Sequence, residues 1–333
     1  VLGQSKFFRD DVTMNILIEP AITLPPLGAG QFERIRAAAG GTATIVETQS
    51  LTEMVEFAPQ VEVIFGSIYP QILAQASRLK WVHATASGID SMLFPEFVAS
   101  DVVLTSEKGL VGSHLADHAM GLLLALTRRI AAALRDGRTA WDHRVGYREE
   151  EIELEGLTMG LVGFGGTGRA LAKRAAGFDM HIQAVDLYPK PDPQFPVHGL
   201  DHLDTLLGTS DVVAIGLPLS AQTHHWFDER MIAKMNRGAI IINVTRGEII
   251  EPAALLEALQ SGQLGGAGLD VVWQEPLNAA DPLWDIPTVV MTPHTAGASQ
   301  YRAERNITRF VDNLNRLREG RPLLGLIDKR AGF

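Results

Sequence analysis

The chain of 333 residues contains no cysteine. That absence excludes disulfides, thiolate metal sites and a cysteine nucleophile, and it makes a reducing cytoplasm the default compartment. Lysine and arginine total 29 against 39 aspartates and glutamates, a formal net charge of -10, and no basic block interrupts the chain. Nucleic acid and anionic membrane surfaces are therefore not expected partners. An anionic substrate must be held by a few local donors, because the overall field repels it. No apolar run reaches spanning length: Met120-Gly-Leu-Leu-Leu-Ala-Leu126 is short and lies between His118 and Arg128. There is no internal repeat and no low-complexity tract. Residues 1–13 lack the charged-then-apolar layout of a secretory signal and read as a leader or a remnant of recombinant expression ahead of Met14.

The length suggests two domains, each large enough for its own core. From Met14 onward, short apolar runs alternate with helix-like segments. The first series has strands at Asn15–Ile18, Thr44–Val46, Val61–Phe65, Trp81–Ala84 and Val102–Thr105, with helices near Gln31–Ala39, Leu51–Phe57 and Gln71–Arg78. Ser113–Arg129 reads as a long helix with Ser113 as its N-cap. The second series predicts six strands: Met159–Val162, Ile182–Val185, Val212–Ile215, Ala239–Val244, Gly266–Val271 and Val289–Met291. Helices near Arg169–Ala176, Leu203–Leu207, Asp228–Met235 and Pro252–Gln260 separate them, and a last helix covers Ser299–Glu319. Strands alternating with helices argue parallel sheets covered on both faces. One nucleotide-type sheet is complete by Met291, so the last helix is expected to return to the first domain.

The most informative stretch is Gly163-Phe-Gly-Gly-Thr-Gly168. Directly after a strand-like run, Gly163 permits a tight turn, Gly165 lets backbone approach a pyrophosphate, and Gly168 lets the helix lie close on the strand. Unpaired N–H groups opening that helix, with the positive end of its dipole, suit phosphate. Asp186 ends the next strand-like run, where a carboxylate accepts hydrogen bonds from ribose hydroxyls. A 2′-phosphate there would meet negative charge, which favours NAD over NADP.

Three later segments each carry a polar residue just past a strand-like run. Arg246 can hold a carboxylate in a forked geometry. Glu275 stands before Pro276, in an extended loop. His294 follows the last strand among small residues and can deliver a proton near neutrality. Each alone also fits a blander role: a surface arginine, a solvated loop carboxylate, a capping or core histidine. Their order in a dinucleotide domain supplies what carbonyl reduction needs.

With these residues in view, the chain resembles the D-isomer-specific 2-hydroxyacid dehydrogenases over nearly everything from Met14 to Phe333. The resemblance rests on Gly163–Gly168, Asp186, Asn243-Val-Thr-Arg-Gly247, Gly268-Leu-Asp-Val-Val-Trp-Gln-Glu-Pro276 and Thr292-Pro-His-Thr-Ala-Gly297. It implies an α/β fold of two doubly wound parallel-sheet domains with a cleft between them. A flavodoxin-like substrate domain would take residues 14–108 and 297–333, and a Rossmann NAD-binding domain residues 109–296. It makes Arg246, Glu275 and His294 the catalytic residues. Backbone N–H groups of Ser87, Gly88 and Ile89, with Arg246, would bind the substrate carboxylate. Cofactor contacts fall on Gly163, Gly165, Gly166, Thr167, Gly168, Asp186, Pro218, Val244, Thr245, Asp270, His294 and Gly297. Partners would be a small 2-oxo or 2-hydroxy acid and a second copy of the chain, docked through the nucleotide domains. Thr167 stands where the glycine motif often carries isoleucine, and Asp117-His118 where the helix usually shows glutamate-histidine. Neither touches the catalytic three.

No metal is expected, because His224-His225 lacks an acid or third ligand at metal spacing. Trp273 and Trp284 read as packing around the glutamate loop. Trp141, His143 and Tyr147 follow the long helix and, in a dimer, could reach the neighbouring subunit's cleft. Two further readings share the fold: a dehydrogenase oxidising phosphite, and a nucleotide-sensing protein resembling the C-terminal-binding corepressors.

Overall fold

The computed structural model describes residues 14–19 and 24–333; the expected leader, residues 1–13, lies outside them. The described chain forms two compact units. One runs to Val111 and is completed by Ala298–Phe333; the other is Gly112–Gly297.

The first unit carries five strands: β1 (Asn15–Ile18), β2 (Thr44–Glu47), β3 (Val63–Phe65), β4 (Trp81–His83) and β5 (Val103–Thr105). All pair in parallel, in the order β2-β1-β3-β4-β5. Successive side chains of a strand point to opposite faces. Ile16, Ile18, Val63, Phe65 and Trp81 therefore join one core layer, while Leu17, Ile64, Val82 and Leu104 join the other. The C-terminal helix Arg302–Arg318 covers the first of these layers through Ile307, Phe310 and Leu314. Their spacing of three and four residues puts them on one helical stripe. The Phe310 ring centroid lies 4.6 Å from Phe65 and 5.1 Å from Trp81. Truncating such a buried ring costs about 3–5 kcal/mol.

The second unit carries β6 (Thr158–Val162), β7 (His181–Val185), β8 (Val197–His198), β9 (Val212–Ile215), β10 (Ala239–Asn243), β11 (Leu264–Leu269) and β12 (Val289–Met291). The sheet order is β12-β11-β10-β9-β6-β7-β8, again parallel throughout. The β10 run Ala239-Ile-Ile-Ile-Asn243 is buried from end to end, as a central parallel strand requires. Helix Gly112–Thr127 packs Ala116, Ala119, Leu122 and Leu123 into one of this sheet's two core layers. No helix of the described residues is long and apolar enough to cross a membrane.

Several local expectations need correction. The second sheet has seven strands rather than six, because Val197–His198 pairs with Ala184–Val185. Two residues carry no periodicity to read. The helix expected at Gln71–Arg78 stops after Pro70–Leu73, because the chain must turn there and extend again for β4, with Lys80 N–H donating to the Glu62 carbonyl at 2.9 Å. Ser113 does not cap its helix: it lies inside the first turn, and its hydroxyl accepts from Arg174 Nη2 at 2.8 Å. Helices Ile130–Asp136 and Arg144–Glu150 occupy the stretch read only as a connection. Trp273 packs on the core as expected, whereas Trp284 is 54% exposed, with its Nε1–H given to the Asn278 carbonyl.

Candidate active site

Parallel strands end on the same edge of a sheet, and ligands bind where strand order reverses. In the second unit that point lies between β6 and β9. The glycine turn follows β6. Gly163 sits at φ +98°, and a Cβ there would lie 2.7 Å from the Gly216 carbonyl oxygen. A Cβ at Gly168 would come within 2.3 Å of the Gly163 carbonyl oxygen. Both positions are held to glycine by the protein itself. Gly165 differs: a Cβ there meets no protein atom within 4 Å. Gly165 caps helix Gly166–Ala176, whose opening N–H groups lack intrahelical partners. A dinucleotide pyrophosphate fits this turn, with Gly165 bare on the approach side. Asp186, just past β7, is anchored beside it: Oδ2 accepts from Phe164 N–H at 2.8 Å and Oδ1 from Tyr188 N–H at 2.9 Å.

Arg246, Glu275 and His294 follow β10, β11 and β12, three adjacent strands. Asn243, fully buried, shapes the arginine turn. Its Oδ1 accepts from Thr245 N–H and Oγ1, each at 3.0 Å, and its Nδ2 donates to the Arg246 carbonyl at 2.8 Å. Gly247 then passes so close to the next loop that a Cβ would lie 2.0 Å from the Val272 carbonyl carbon. This contact brings the arginine turn against the loop that carries Glu275. The Glu275–Pro276 bond is cis, and Val272 N–H donates to Glu275 Oε1 at 3.2 Å.

His294 Nδ1 lies 2.6 Å from Glu275 Oε2. The hydrogen bond to Glu275 and its charge raise the histidine pKa, against the opposing effects of partial burial and the Arg246 charge. Burial alone would push the Glu275 carboxyl up; the hydrogen bond and charge of His294, with help from Val272 N–H and Arg246, outweigh it and hold the carboxyl below its ordinary value. Nδ1 bound to a carboxylate leaves Nε2 as the atom able to give a proton elsewhere. The backbone of His294 sits at φ +53°, in the left-handed region. Such a conformation persists where surrounding bonds over-determine it. Here His294 N–H donates to the Asp270 carbonyl at 2.8 Å and the Thr292 carbonyl at 3.0 Å.

Asp270 is the hub of this loop. Its carboxylate accepts from Thr292 Oγ1 at 2.6 Å, Thr295 N–H at 2.9 Å and Ala296 N–H at 2.8 Å. His118 Nε2 lies 2.7 Å from Thr292 Oγ1 and 3.3 Å from Asp270 Oδ1. From the sequence, Asp270 is expected as a cofactor contact, and His118 as a variation in a motif and a reserve candidate for the acid. Neither reading had the loop-holding arrangement, whose one sequence signal is an acid followed by hydroxyl and small residues at the next strand end. Asn243 stands in a quoted motif without its turn-shaping role, and Gly216 is not singled out, although a glycine at the end of β9 is a readable sign. Pro218, Val244, Thr245 and Gly297 follow β9, β10 and β12 at the same strand ends as the glycine turn. His143 and Tyr147 are both tied to Asp136 of their own chain, His143 Nδ1 at 2.6 Å, while Trp141 is 78% exposed.

Ser87, Gly88 and Ile89 belong to the other unit, in the loop after β4. Among the described residues their three consecutive N–H groups make no hydrogen bond, although Ile89 is 2% exposed. Consecutive unpaired backbone donors can serve as an anion seat where the chain curls them to one side.

The sheet, its glycine turn and the polar residues at its strand ends define a nicotinamide-dinucleotide oxidoreductase. The profile of the D-isomer specific 2-hydroxyacid dehydrogenases, NAD binding domain, matches residues 120–296. The chain is 35% identical over 273 residues to a glyoxylate reductase of Thermofilum pendens, covering 81% of this chain and 80% of that one. It is 33% identical over 256 residues to a glycerate dehydrogenase of Methylorubrum extorquens, covering 75% and 79%. A crystal structure of a D-isomer specific 2-hydroxyacid dehydrogenase family protein from Aeromonas salmonicida superposes with TM-score 0.79 at 28% identity, over 96% of this chain and all of that one. Another, from Xanthobacter autotrophicus in complex with NADPH and MES, gives TM-score 0.80 at 25% identity, over 97% and 100%. The chain belongs to the D-isomer specific 2-hydroxyacid dehydrogenase family, and it is an enzyme that interconverts 2-oxo and 2-hydroxy acids with a nicotinamide cofactor.

Proposed function

We propose that the protein is an NAD-dependent reductase of small 2-oxo acids such as glyoxylate or hydroxypyruvate, giving the D-2-hydroxy acid wherever the product is chiral. The observation that carries this reading is the His294–Glu275 pair, 2.6 Å apart, past the ends of β12 and β11, with β11 paired to the strand that leads into Arg246. Bound NADH supplies the hydride. Arg246 and the N–H groups of Ser87, Gly88 and Ile89 hold the substrate carboxylate, and the arginine also polarises the carbonyl. As the carbonyl carbon is reduced, its oxygen gains negative charge, and His294 Nε2 gives it a proton. Glu275 keeps the ring charged and oriented. A single enantiomer follows when the carbonyl presents one face to the cofactor, and the family assigns that enantiomer as D.

The preference for NAD over NADP rests on Asp186, whose carboxylate, anchored by Phe164 and Tyr188 N–H beside the glycine turn, would repel a 2′-phosphate. Residues Gly163, Gly165, Gly166, Thr167 and Gly168 carry the pyrophosphate; Pro218, Val244, Thr245, Asp270 and Gly297 line the nicotinamide side. A homodimer through the Gly112–Gly297 unit completes the reading. It is supported by Leu134, Trp141 and Val145, which are 77%, 78% and 63% exposed. Leu134 and Val145 lie on successive helices with Trp141 in the turn between them, and large exposed apolar side chains so grouped along the chain suit an interaction surface. The expected setting is a reducing cytoplasm.

The test is an NADH-oxidation screen over glyoxylate, hydroxypyruvate, pyruvate, bulkier 2-oxo acids and, in the oxidative direction with NAD, phosphite. Chiral chromatography of the product from hydroxypyruvate or pyruvate should give the D enantiomer; glycolate from glyoxylate is achiral. Turnover of phosphite alone, or of nothing, would refute the reading.

A further inference from the structure

Away from the strand-end residues of the second unit, the first unit holds a continuous buried chain of polar side chains. It starts at Trp81, whose Nε1–H donates to Thr105 Oγ1 at 2.8 Å. Thr105 Oγ1 lies 2.6 Å from His83 Nδ1, and His83 Nε2 lies 3.1 Å from Asn306 Oδ1. Asn306 Nδ2 donates to Glu107 Oε1 at 2.5 Å. Arg302 then clasps Glu107, with Nε 3.0 and 3.1 Å from its two oxygens and Nη2 2.9 Å from Oε2. The remaining bond of Arg302 Nη2 goes to the Thr85 carbonyl, at 2.9 Å.

The direction of every bond follows from its neighbours. Glu107 takes the Asn306 Nδ2 hydrogen, so Asn306 Oδ1 faces His83 Nε2 and accepts its hydrogen. The bare Nδ1 of the neutral ring then accepts from the Thr105 hydroxyl, whose oxygen also accepts from the indole. Complete burial depresses the His83 pKa to about 3, so the ring stays neutral in this one tautomer. His83, Thr105 and Asn306 are 0% exposed, Glu107 1% and Thr85 2%. The chain ends at the root of the loop that carries the unpaired N–H groups of Ser87, Gly88 and Ile89. A buried ion pair is a weak stabiliser compared with apolar packing, so a geometric role suits it here.

We propose that Arg302 and Glu107 are positioning residues for the substrate: through Asn306 and His83 they anchor the Thr85 carbonyl to the core and hold the Ser87–Ile89 donors at the spacing a carboxylate needs. Asn306 follows Arg302 by one helical turn, so the opening of the C-terminal helix supplies both side chains. This rests on the proposed role of the Ser87–Ile89 loop in binding the acid.

The experiment measures kcat and KM for glyoxylate, KM for NADH and thermal unfolding in the unaltered enzyme, Arg302→Lys and Glu107→Gln. Lysine keeps the charge but lacks the fork, and glutamine keeps the shape but lacks the charge. Losing one charge-assisted bond should raise the glyoxylate KM about tenfold or more. In a folded variant, kcat and the NADH KM should stay within about twofold, since chemistry and cofactor binding lie on other residues. A merely structural role would lower the melting temperature and the active fraction while leaving the glyoxylate KM unmoved, and that result overturns the proposal. Loss of fold in both variants assigns the pair to stability and overturns it too. Turnover by the unaltered enzyme with unmoved variants removes this proposal alone. An unaltered enzyme that reduces no 2-oxo acid removes the functional reading, and this one with it.

Discussion

Removing the proton donor should separate chemistry from binding. His294→Ala deletes the imidazole while leaving Asp270, Arg246 and the glycine turn in place. Positioned acid catalysis contributes about two to four powers of ten. The His294 side chain is 45% exposed and Glu275 38%, so water can partly replace the lost donor. The expected fall in kcat is therefore in the lower part of that range, about a hundredfold to a thousandfold. NADH affinity, measured by fluorescence titration, should change little. Glu275→Gln tests the pair differently. The amide oxygen can still accept from Nδ1–H, so orientation survives, but the negative charge that raises the histidine pKa is gone. The donor must be protonated before reduction, so activity is present below the histidine pKa and lost as pH rises through it. With that pKa lowered, the alkaline limb of the kcat profile for 2-oxo acid reduction should move towards acid, with the acid-side plateau retained. His294→Ala with near-full activity, or Glu275→Gln with an unmoved alkaline limb, would refute the assignment. His118 would then be the next acid to test.

Asp186→Ala should narrow the preference for NADH over NADPH, read as the ratio of kcat/KM values; equal use of both cofactors by the unaltered enzyme would contradict the role of Asp186. Arg246→Ala removes a charged hydrogen-bond donor worth about 1.5–3 kcal/mol, so the KM for the oxo acid should rise about 10- to 100-fold, and an unmoved KM would reject it as the carboxylate ligand. Gly247→Ala should lower thermal stability by at least the roughly 1–3 kcal/mol of an overpacked site, because its Cβ would lie 2.0 Å from backbone at Val272; an unshifted melting curve would show that the loops part without cost. Gly165→Ala should leave the melting temperature unchanged, since its Cβ meets no protein atom within 4 Å, yet weaken NADH binding; the reverse pattern would move the pyrophosphate elsewhere.

The strand-and-helix alternation, the glycine turn with Asp186, and the order Arg246, Glu275, His294 were all legible in the chain. They are local signals: periodicity, turn chemistry and a polar residue just past each strand. Val212–Ile215 and Pro252–Gln260 are found where the pattern put them, because a buried strand and a capped apolar helix each declare themselves within a few residues. The two-residue strand Val197–His198 exists only because β7 offers it an edge, so nothing in its own residues announced it. The pairing of His294 with Glu275 could be suspected from residue types, but the 2.6 Å contact depends on the adjacency of β11 and β12 and on Gly247 meeting Val272. Asp270 as the hub of the histidine loop, and the buried path from Trp81 through His83 and Asn306 to Arg302, were illegible for the same reason. Their partners lie as much as 223 residues apart, as His83 and Asn306 do. Sequence spacing carries information about neighbours along a helix or strand; which distant polar groups satisfy one another when buried is decided only when the sheets are stacked and every donor must find its acceptor.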